Sequence, residues 1–345
     1  MWRRFVSQLI DEIAANVVLH GFLRHHHLPP CRGPGPERLP QLFSGQLSEF
    51  FLPPPDPVDW TSQRSLVEER ADRAVWDWQF ASETSSGWRE CDVVWCRHWE
   101  SRSGNNPLTI VGVDGIVQLG CRWFRRLAER LVPQGIDVVM MDVPGNFRRT
   151  PAGYRPGQLI LGGDLAHQLS LARQAARDLW RVIVSLQQSG RRVGLVGVSY
   201  GGWLASLASL LASDLEFLIA LVPPVDFARM LQKSTTIVRA LRGGLGHEPI
   251  DPVELERLVR PVVPACWQPR LAGSRIILHA AHFDRFVPCH GVESLARTWN
   301  TRLVMHEDGH YRLTISPQII EQVAREVGEI VAQNPSSFGN RIPQW

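Results

Sequence analysis

The chain has 345 residues, 44% of them hydrophobic, enough for one large domain or two small ones whose buried core needs no staples. Its charge is nearly balanced, 37 Lys and Arg against 34 Asp and Glu, which argues against nucleic acid or an anionic membrane surface as a partner. Cys31, Cys91, Cys96, Cys121, Cys266 and Cys289 form neither a CxxC pair nor a regular framework, so reduced thiols and a cytoplasmic location are expected.

In residues 1–23, Phe5, Leu9, Ile13, Val17 and Val18 recur at helical spacing, which predicts an amphipathic helix that packs on the main domain or on a partner. Asp11 and Glu12 interrupt what would otherwise be the apolar core of a signal peptide, so no export signal is expected. No apolar run approaches the ~20 residues of a membrane span. Residues 24–57 hold His25-His26-His27, Pro29-Pro30 and Pro53-Pro54-Pro55, a composition that resists regular structure and reads as an extended arm. Three adjacent histidines on one extended segment cannot converge on a single metal ion, so an exposed loop is expected there. Residues 1–72 are therefore read as a helix and Pro-rich arm, which leaves open a homo-oligomer formed through the arm.

A domain over residues 73–335 is expected to follow, with a short tail at 336–345. Val75 to Phe80 and Cys91 to Trp99 alternate large apolar and polar residues, as half-buried strands do. Leu108–Val113, Asp137–Met141, Val193–Val198, Phe217–Val222, Arg275–Ala280 and Arg302–His306 are short runs rich in Val, Ile and Leu, the pattern of strands covered on both faces. Trp123–Leu131 and Leu165–Gln188 between them carry helical spacing. The class is α/β: a mostly parallel central sheet with helices on both faces, whose chemistry lies in loops beyond the carboxyl ends of the strands. The pairs Arg125-Arg126 and Arg148-Arg149 read as solvated surface.

One such loop is Gly197-Val198-Ser199-Tyr200-Gly201. A strand turning sharply into a helix strains the serine backbone and crowds its neighbours, so Gly197 and Gly201 answer a steric demand. A serine hydroxyl needs a base to take its proton and a third group to hold that base. Downstream, the strand ending near Ala280 presents Asp284, and the next strand leads into Gly309-His310. The separation of these two residues accommodates one helix and one strand, so their loops can be neighbours. Two rivals stand beside them. His306 falls within a strand, and Asp226 follows the preceding strand, where it is also well placed to cap a helix. Ser199, Asp284 and His310 are favoured over both. His279, His282 and Asp284 as metal ligands would have to converge from alternate strand faces, so no metal is expected.

With the order Ser, Asp, His and the acid loop Asp284-Arg285-Phe286-Val287-Pro288 in place, the chain resembles the α/β-hydrolase-fold superfamily over about residues 105–330. The long helix after Gly162-Gly163-Asp164 and the Val222-Pro223-Pro224-Val225 run are similar to a poorly characterised bacterial, esterase- or lipase-like group within it. The resemblance implies an oxyanion hole with one donor at the N–H of Tyr200. It implies a second in the loop after Leu108–Val113, at Ile116 or Gly115, where this chain has Asp114-Gly115 in place of the frequent His-Gly. It further implies that the segment Met141 to Pro151 holds a pocket-shaping loop, with Phe147 where glycine is usual, and that residues 226–270 form a short helical cap.

A serine at the elbow excludes the branches that use an aspartate nucleophile. The expected activity is hydrolysis of carboxylic esters, with an apolar small-molecule ester or acyl substrate, through an acyl-enzyme and with no organic cofactor. A carbon–carbon bond hydrolase or thioesterase using the same triad, and a non-catalytic binding protein of the same fold, are the alternatives.

Overall fold

The computed structural model describes residues 2–22, 47–51, 53–103, 107–117, 120–162, 165–226, 230 and 252–333. The His25–His27 run, Cys31, most of the expected cap and the tail at 336–345 lie outside the described residues.

Among the described residues, nine strands form one sheet: β1 (Arg64–Glu69), β2 (Arg73–Ala81), β3 (Val93–Ser101), β4 (Leu108–Val113), β5 (Asp137–Met141), β6 (Arg192–Val198), β7 (Leu215–Leu221), β8 (Ile276–Ala281) and β9 (Arg302–His306). Their spatial order is β1-β2-β3-β5-β4-β6-β7-β8-β9. The first three run as an antiparallel meander joined antiparallel to β5, and all later pairings are parallel. Parallel strands require crossovers, and the intervening helices provide them on both faces. Along fully buried β4, Leu108 and Ile110 enter one core, while Val111 and Val113 enter the other. That period-two division places the strand between two helical layers.

The helices are, in chain order, α1 (Trp2–Phe22), α2 (Leu47–Phe51), α3 (Arg122–Leu131), α4 (Gln158–Gly162), α5 (Leu165–Gln188), α6 (Tyr200–Leu211), α7 (Pro252–Val259), α8 (Cys289–Thr298), α9 (His310–Ile315) and α10 (Pro317–Gln333). Trp123, Phe124 and Leu127 of α3 pack with Ile319, Ile320 and Val323 of α10 in one layer. Leu179 and Ile183 of α5, Leu204 and Leu207 of α6, and Leu295 of α8 fill the other. Trp203 and Trp299 are buried in this second core, and each indole N–H donates to a carbonyl, that of Val262 and that of Trp267 respectively. Such a bond lets a large amphipathic ring sit inside.

Three features depart from the sequence reading. First, residues 64–69, within the stretch assigned to the arm, form β1 and extend the sheet, and Phe50 and Phe51 of α2 are core residues. Second, α1 docks through the small and polar face of Ser7, Asp11 and Ala15, all buried, while its apolar positions Phe5, Leu9, Ile13 and Val17 are exposed. Third, Arg148 and Arg149 are not solvated surface. Arg149 is 0% exposed and bonds the buried Asp178 carboxylate at 2.7 Å, and Arg148 bridges Asp77 and Asp142. The physical reason is a set of buried carboxylates and carbonyls that only a multi-donor cation can satisfy.

Candidate active site

Ser199 sits between β6 and α6 with φ 54° and ψ −121°, a backbone conformation costly to any side-chain-bearing residue and held only by its surroundings. Its N–H donates to the Leu221 carbonyl at 2.8 Å, pinning the turn to the end of β7. A Cβ on Gly197 would lie 2.4 Å from the Gly201 carbonyl oxygen, and one on Gly201 would lie 2.0 Å from that of Val113. Both obstacles are backbone, so neither can swing aside. Gly202 adds a third close approach, 3.1 Å from the Gly197 carbonyl oxygen. Gly201→Ala is expected to push α6 off β4, lowering stability by about 3 kcal/mol. Urea denaturation, with m compared to wild type, measures it.

Asp284 follows β8 and is buried. Its Oδ1 accepts the N–H groups of Phe286 and Val287, each at 2.7 Å, and its Oδ2 lies 2.7 Å from His310 Nδ1. With Oδ2 accepting from the Nδ1 side of the ring, Nδ1 is assigned the imidazole proton and Nε2 is left as acceptor. That Nε2 faces Ser199 Oγ at 2.9 Å. Burial pulls the His310 pKa down, but the charge and hydrogen bond of Asp284, with the charge of Asp11, outweigh it and hold the pKa above its ordinary value.

The rival residues are engaged elsewhere. His306 Nε2 bonds His279 Nδ1 at 2.9 Å, and His279 Nε2 bonds Glu326 at 2.9 Å, forming a separate chain between β8, β9 and α10. His282 stacks edge-on against Phe283. Asp226 lies after β7 beside Gly291 and bonds the Met230 N–H through its backbone carbonyl. The carboxylate that meets the His310 ring nitrogen is that of Asp284.

The loop after β4 lies against the elbow, where a Cβ on Gly201 would meet the carbonyl oxygens of Val113 and Asp114. The Gly115 N–H donates to Asp114 Oδ1 at 2.8 Å, and the Gly115 carbonyl accepts the side-chain amide of Asn146 at 3.0 Å. Burial, with nearby Asp142 adding, pushes Asp114 up to about 7 although the Gly115 amide opposes it. Phe147, at the position where glycine is usual, has φ 45°, so the backbone keeps a glycine-like turn there. The phenol of Tyr200 packs against Trp203, with ring centroids 5.1 Å apart, and the Tyr200 amide opens α6 directly after Ser199.

Sequence reasoning missed Asn146, which braces the Gly115 loop, and above all Asp11, which bonds the histidine loop from the N-terminal helix. Helical spacing groups Asp11 with two neighbours on one face without marking that face as the docking one. Ser7, Asp11 and Ala15 recur every four residues on the face of α1 opposite its apolar stripe.

No family profile matches the chain. An uncharacterised protein of Mycobacterium tuberculosis, Rv2627c, is 27% identical over 187 residues, 51% of this chain and 42% of the relative. Among solved structures, acetyl xylan esterase 1 from Thermoanaerobacterium sp. aligns with TM-score 0.58 and 17% identity, over 89% of this chain and 100% of that one. An acetyl xylan esterase from Paenibacillus sp. aligns with TM-score 0.55 and 13% identity, over 87% and 99%. The acylaminoacyl peptidase of Pyrococcus horikoshii aligns with TM-score 0.56 and 12% identity, over 79% of this chain. This chain covers 43% of that peptidase and 42% of the mycobacterial relative, less than half of each.

The chain has the α/β-hydrolase fold. Within that fold, Ser199, Asp284 and His310 stand in the loops after β6, β8 and β9, at the carboxyl ends of parallel strands where ligands gather. No described helix is long and apolar enough to cross a membrane.

Proposed function

We propose that this protein hydrolyses carboxylic esters by a serine mechanism, with Ser199 as nucleophile, His310 as base and Asp284 as the group that orients the imidazole. The observation that carries the reading is the continuous chain Ser199 Oγ, His310 Nε2, His310 Nδ1, Asp284 Oδ2, with links of 2.9 and 2.7 Å. In the first half-reaction, Nε2 takes the hydroxyl proton as Oγ forms a bond to the acyl carbon. The imidazolium then returns that proton to the departing alcohol oxygen as the ester C–O bond breaks. A water, deprotonated at the same Nε2, attacks the acyl-enzyme. The carboxylic acid leaves, and Oγ recovers its proton.

The oxyanion of each tetrahedral intermediate is assigned to the N–H groups of Tyr200 and Ile116. Gly115 is set aside because its amide is held by Asp114. Two fixed donors of this kind contribute on the order of 3 kcal/mol each to the barrier lowering. The rings of Phe286 and Tyr311 lie 5.2 and 5.7 Å from the His310 ring, which supports apolar acyl groups as substrates.

A fluorophosphonate probe tests the reading. Wild type is expected to be labelled at Ser199, with a rate that rises with pH as His310 loses its proton. The midpoint is expected above the ordinary imidazole value of about 6.5. Absent labelling of wild type, or equal labelling of Ser199→Ala, would sink it.

A further inference from the structure

The candidate site receives one group from far outside its own loops. Asp11, in the middle of α1, is 0% exposed. Its Oδ2 accepts the backbone N–H of His310 at 2.9 Å and that of Arg285 at 3.2 Å, and its Oδ1 accepts the N–H of Tyr311 at 2.9 Å. These three amides belong to the two loops that carry His310 and Asp284. The helix α9 begins at His310, and its own N-cap residue is Gly309, which has no side chain to offer. Gly309 is also what admits α1. A Cβ there would stand 2.8 Å from Asp11 Oδ2 and 2.9 Å from the Ser7 carbonyl oxygen. The glycine before the histidine therefore opens the gap that the Asp11 carboxylate fills.

We propose that Asp11 is a positioning residue for His310, and that α1 is thereby a working part of the site. This inference rests on the serine-hydrolase reading for its effect on rate. One carboxylate bridges the acid loop and the histidine loop, so the 2.7 Å contact between Asp284 and His310 is held from both sides. Its charge also faces the imidazole, favouring the imidazolium that forms as Ser199 gives up its proton.

The charged and titratable groups around His310 are few. Asp284 comes from the loop after β8, Tyr311 from α9 itself and Asp11 from α1, and Ser199 closes the fourth side. The neighbouring charges are paired: Arg285 with Glu12, and Arg312 with Asp308, which also accepts from Ser7. Among the described residues, Asp11 is thus the further carboxylate acting on the imidazole beside Asp284, and its influence raises the His310 pKa. Removing that charge lowers the pKa. The neutral, base-competent imidazole then persists to lower pH.

The test is Asp11→Asn in the full chain, beside Ser7→Ala, which weakens α1 docking without touching the three amides. Asparagine offers one acceptor oxygen in place of two and turns an N–H₂ toward an amide donor. Two readouts are taken: the His310 titration followed by NMR of isotope-labelled histidine, and the pH profile of kcat/KM with p-nitrophenyl acetate. Asp11→Asn is expected to lower the His310 pKa and to shift the acid limb of the profile down equally. At the plateau it is expected to reduce kcat about tenfold with KM little changed. Ser7→Ala is expected to leave the titration where it is. A folded Asp11→Asn protein with the wild-type His310 titration overturns the proposal, as does an equal shift in Ser7→Ala. If wild type hydrolyses no ester and takes no fluorophosphonate, the hydrolase reading fails while the NMR titration still decides the role of Asp11. Should Asp11→Asn not fold, wild type decides. The amides of Arg285, His310 and Tyr311 are expected to shift together as Asp11 titrates, and three independent responses overturn the bridge.

Discussion

Ser199→Ala and His310→Ala are each expected to lower kcat/KM toward a short-chain p-nitrophenyl ester by about 10⁵-fold or more, and the double variant by no more than the worse single one. The non-additivity is the informative part. Oγ lies 2.9 Å from Nε2, and in the proposed mechanism the two share one proton, so removing either leaves nothing for the other to do. Asp284→Asn is expected to cost about 10⁴-fold, for a different reason. An amide at that position offers its N–H₂ to Nδ1, which favours the tautomer whose proton sits on Nε2, facing Ser199. The geometry around the acid sharpens this. Oδ1 is taken by the amides of Phe286 and Val287, so an asparagine keeps its oxygen there and must turn its nitrogen toward the imidazole. Steady-state rates on the purified variants, with unfolding curves to exclude simple loss of structure, decide the matter. Additive effects of Ser199→Ala and His310→Ala would contradict a shared proton.

The strands after residue 107 were legible as short apolar runs, fully buried in β4, β5 and β8 and half-exposed in the edge strand β9, and the observed bounds of Leu108–Val113, Asp137–Met141 and Arg302–His306 coincide with those runs. Gly197 and Gly201 were legible because their demand is local: a Cβ there collides with backbone. The role of α1 was harder to read. Helical periodicity locates an apolar stripe but does not say which face docks, and here the docking side carries Ser7 and Asp11 while Phe5 and Leu9 are exposed. A carboxylate buried against three backbone amides is as good an anchor as a methyl group in a core, yet it looks like an ordinary surface acid in sequence. β1 was hidden likewise, since four of its six residues are exposed and it presents no apolar run. Arg149 was misread because charge pairs are usually solvated, and only the fold reveals the acceptors that enclose it.

Those acceptors make Arg149→Ala the substitution with the largest expected effect on stability, a loss of about 3–5 kcal/mol. The guanidinium bonds Asp178 Oδ2 at 2.7 Å and the Asp142 carbonyl at 3.0 Å, and it also holds the Cys91 carbonyl. Truncation strands the Asp178 carboxylate, 2% exposed, with Ser82 as its remaining hydrogen-bond partner among the described residues. Two outcomes separate the charge from the remaining bonds. In the double variant Arg149→Met with Asp178→Leu, no charge is stranded, so stability is expected to recover by about 2 kcal/mol relative to Arg149→Ala. Recovery stays incomplete, because the Asp142 carbonyl loses the Arg149 donor in either variant and the Cys91 carbonyl is left with Gln174. Urea midpoints at constant m measure both. Equal stability of the single and double variants would show that the carbonyl bonds, and not the ion pair, dominate. The same arginine ends the turn that includes Asn146, whose amide braces Gly115, so Arg149→Ala is also expected to slow ester turnover in whatever fraction remains folded.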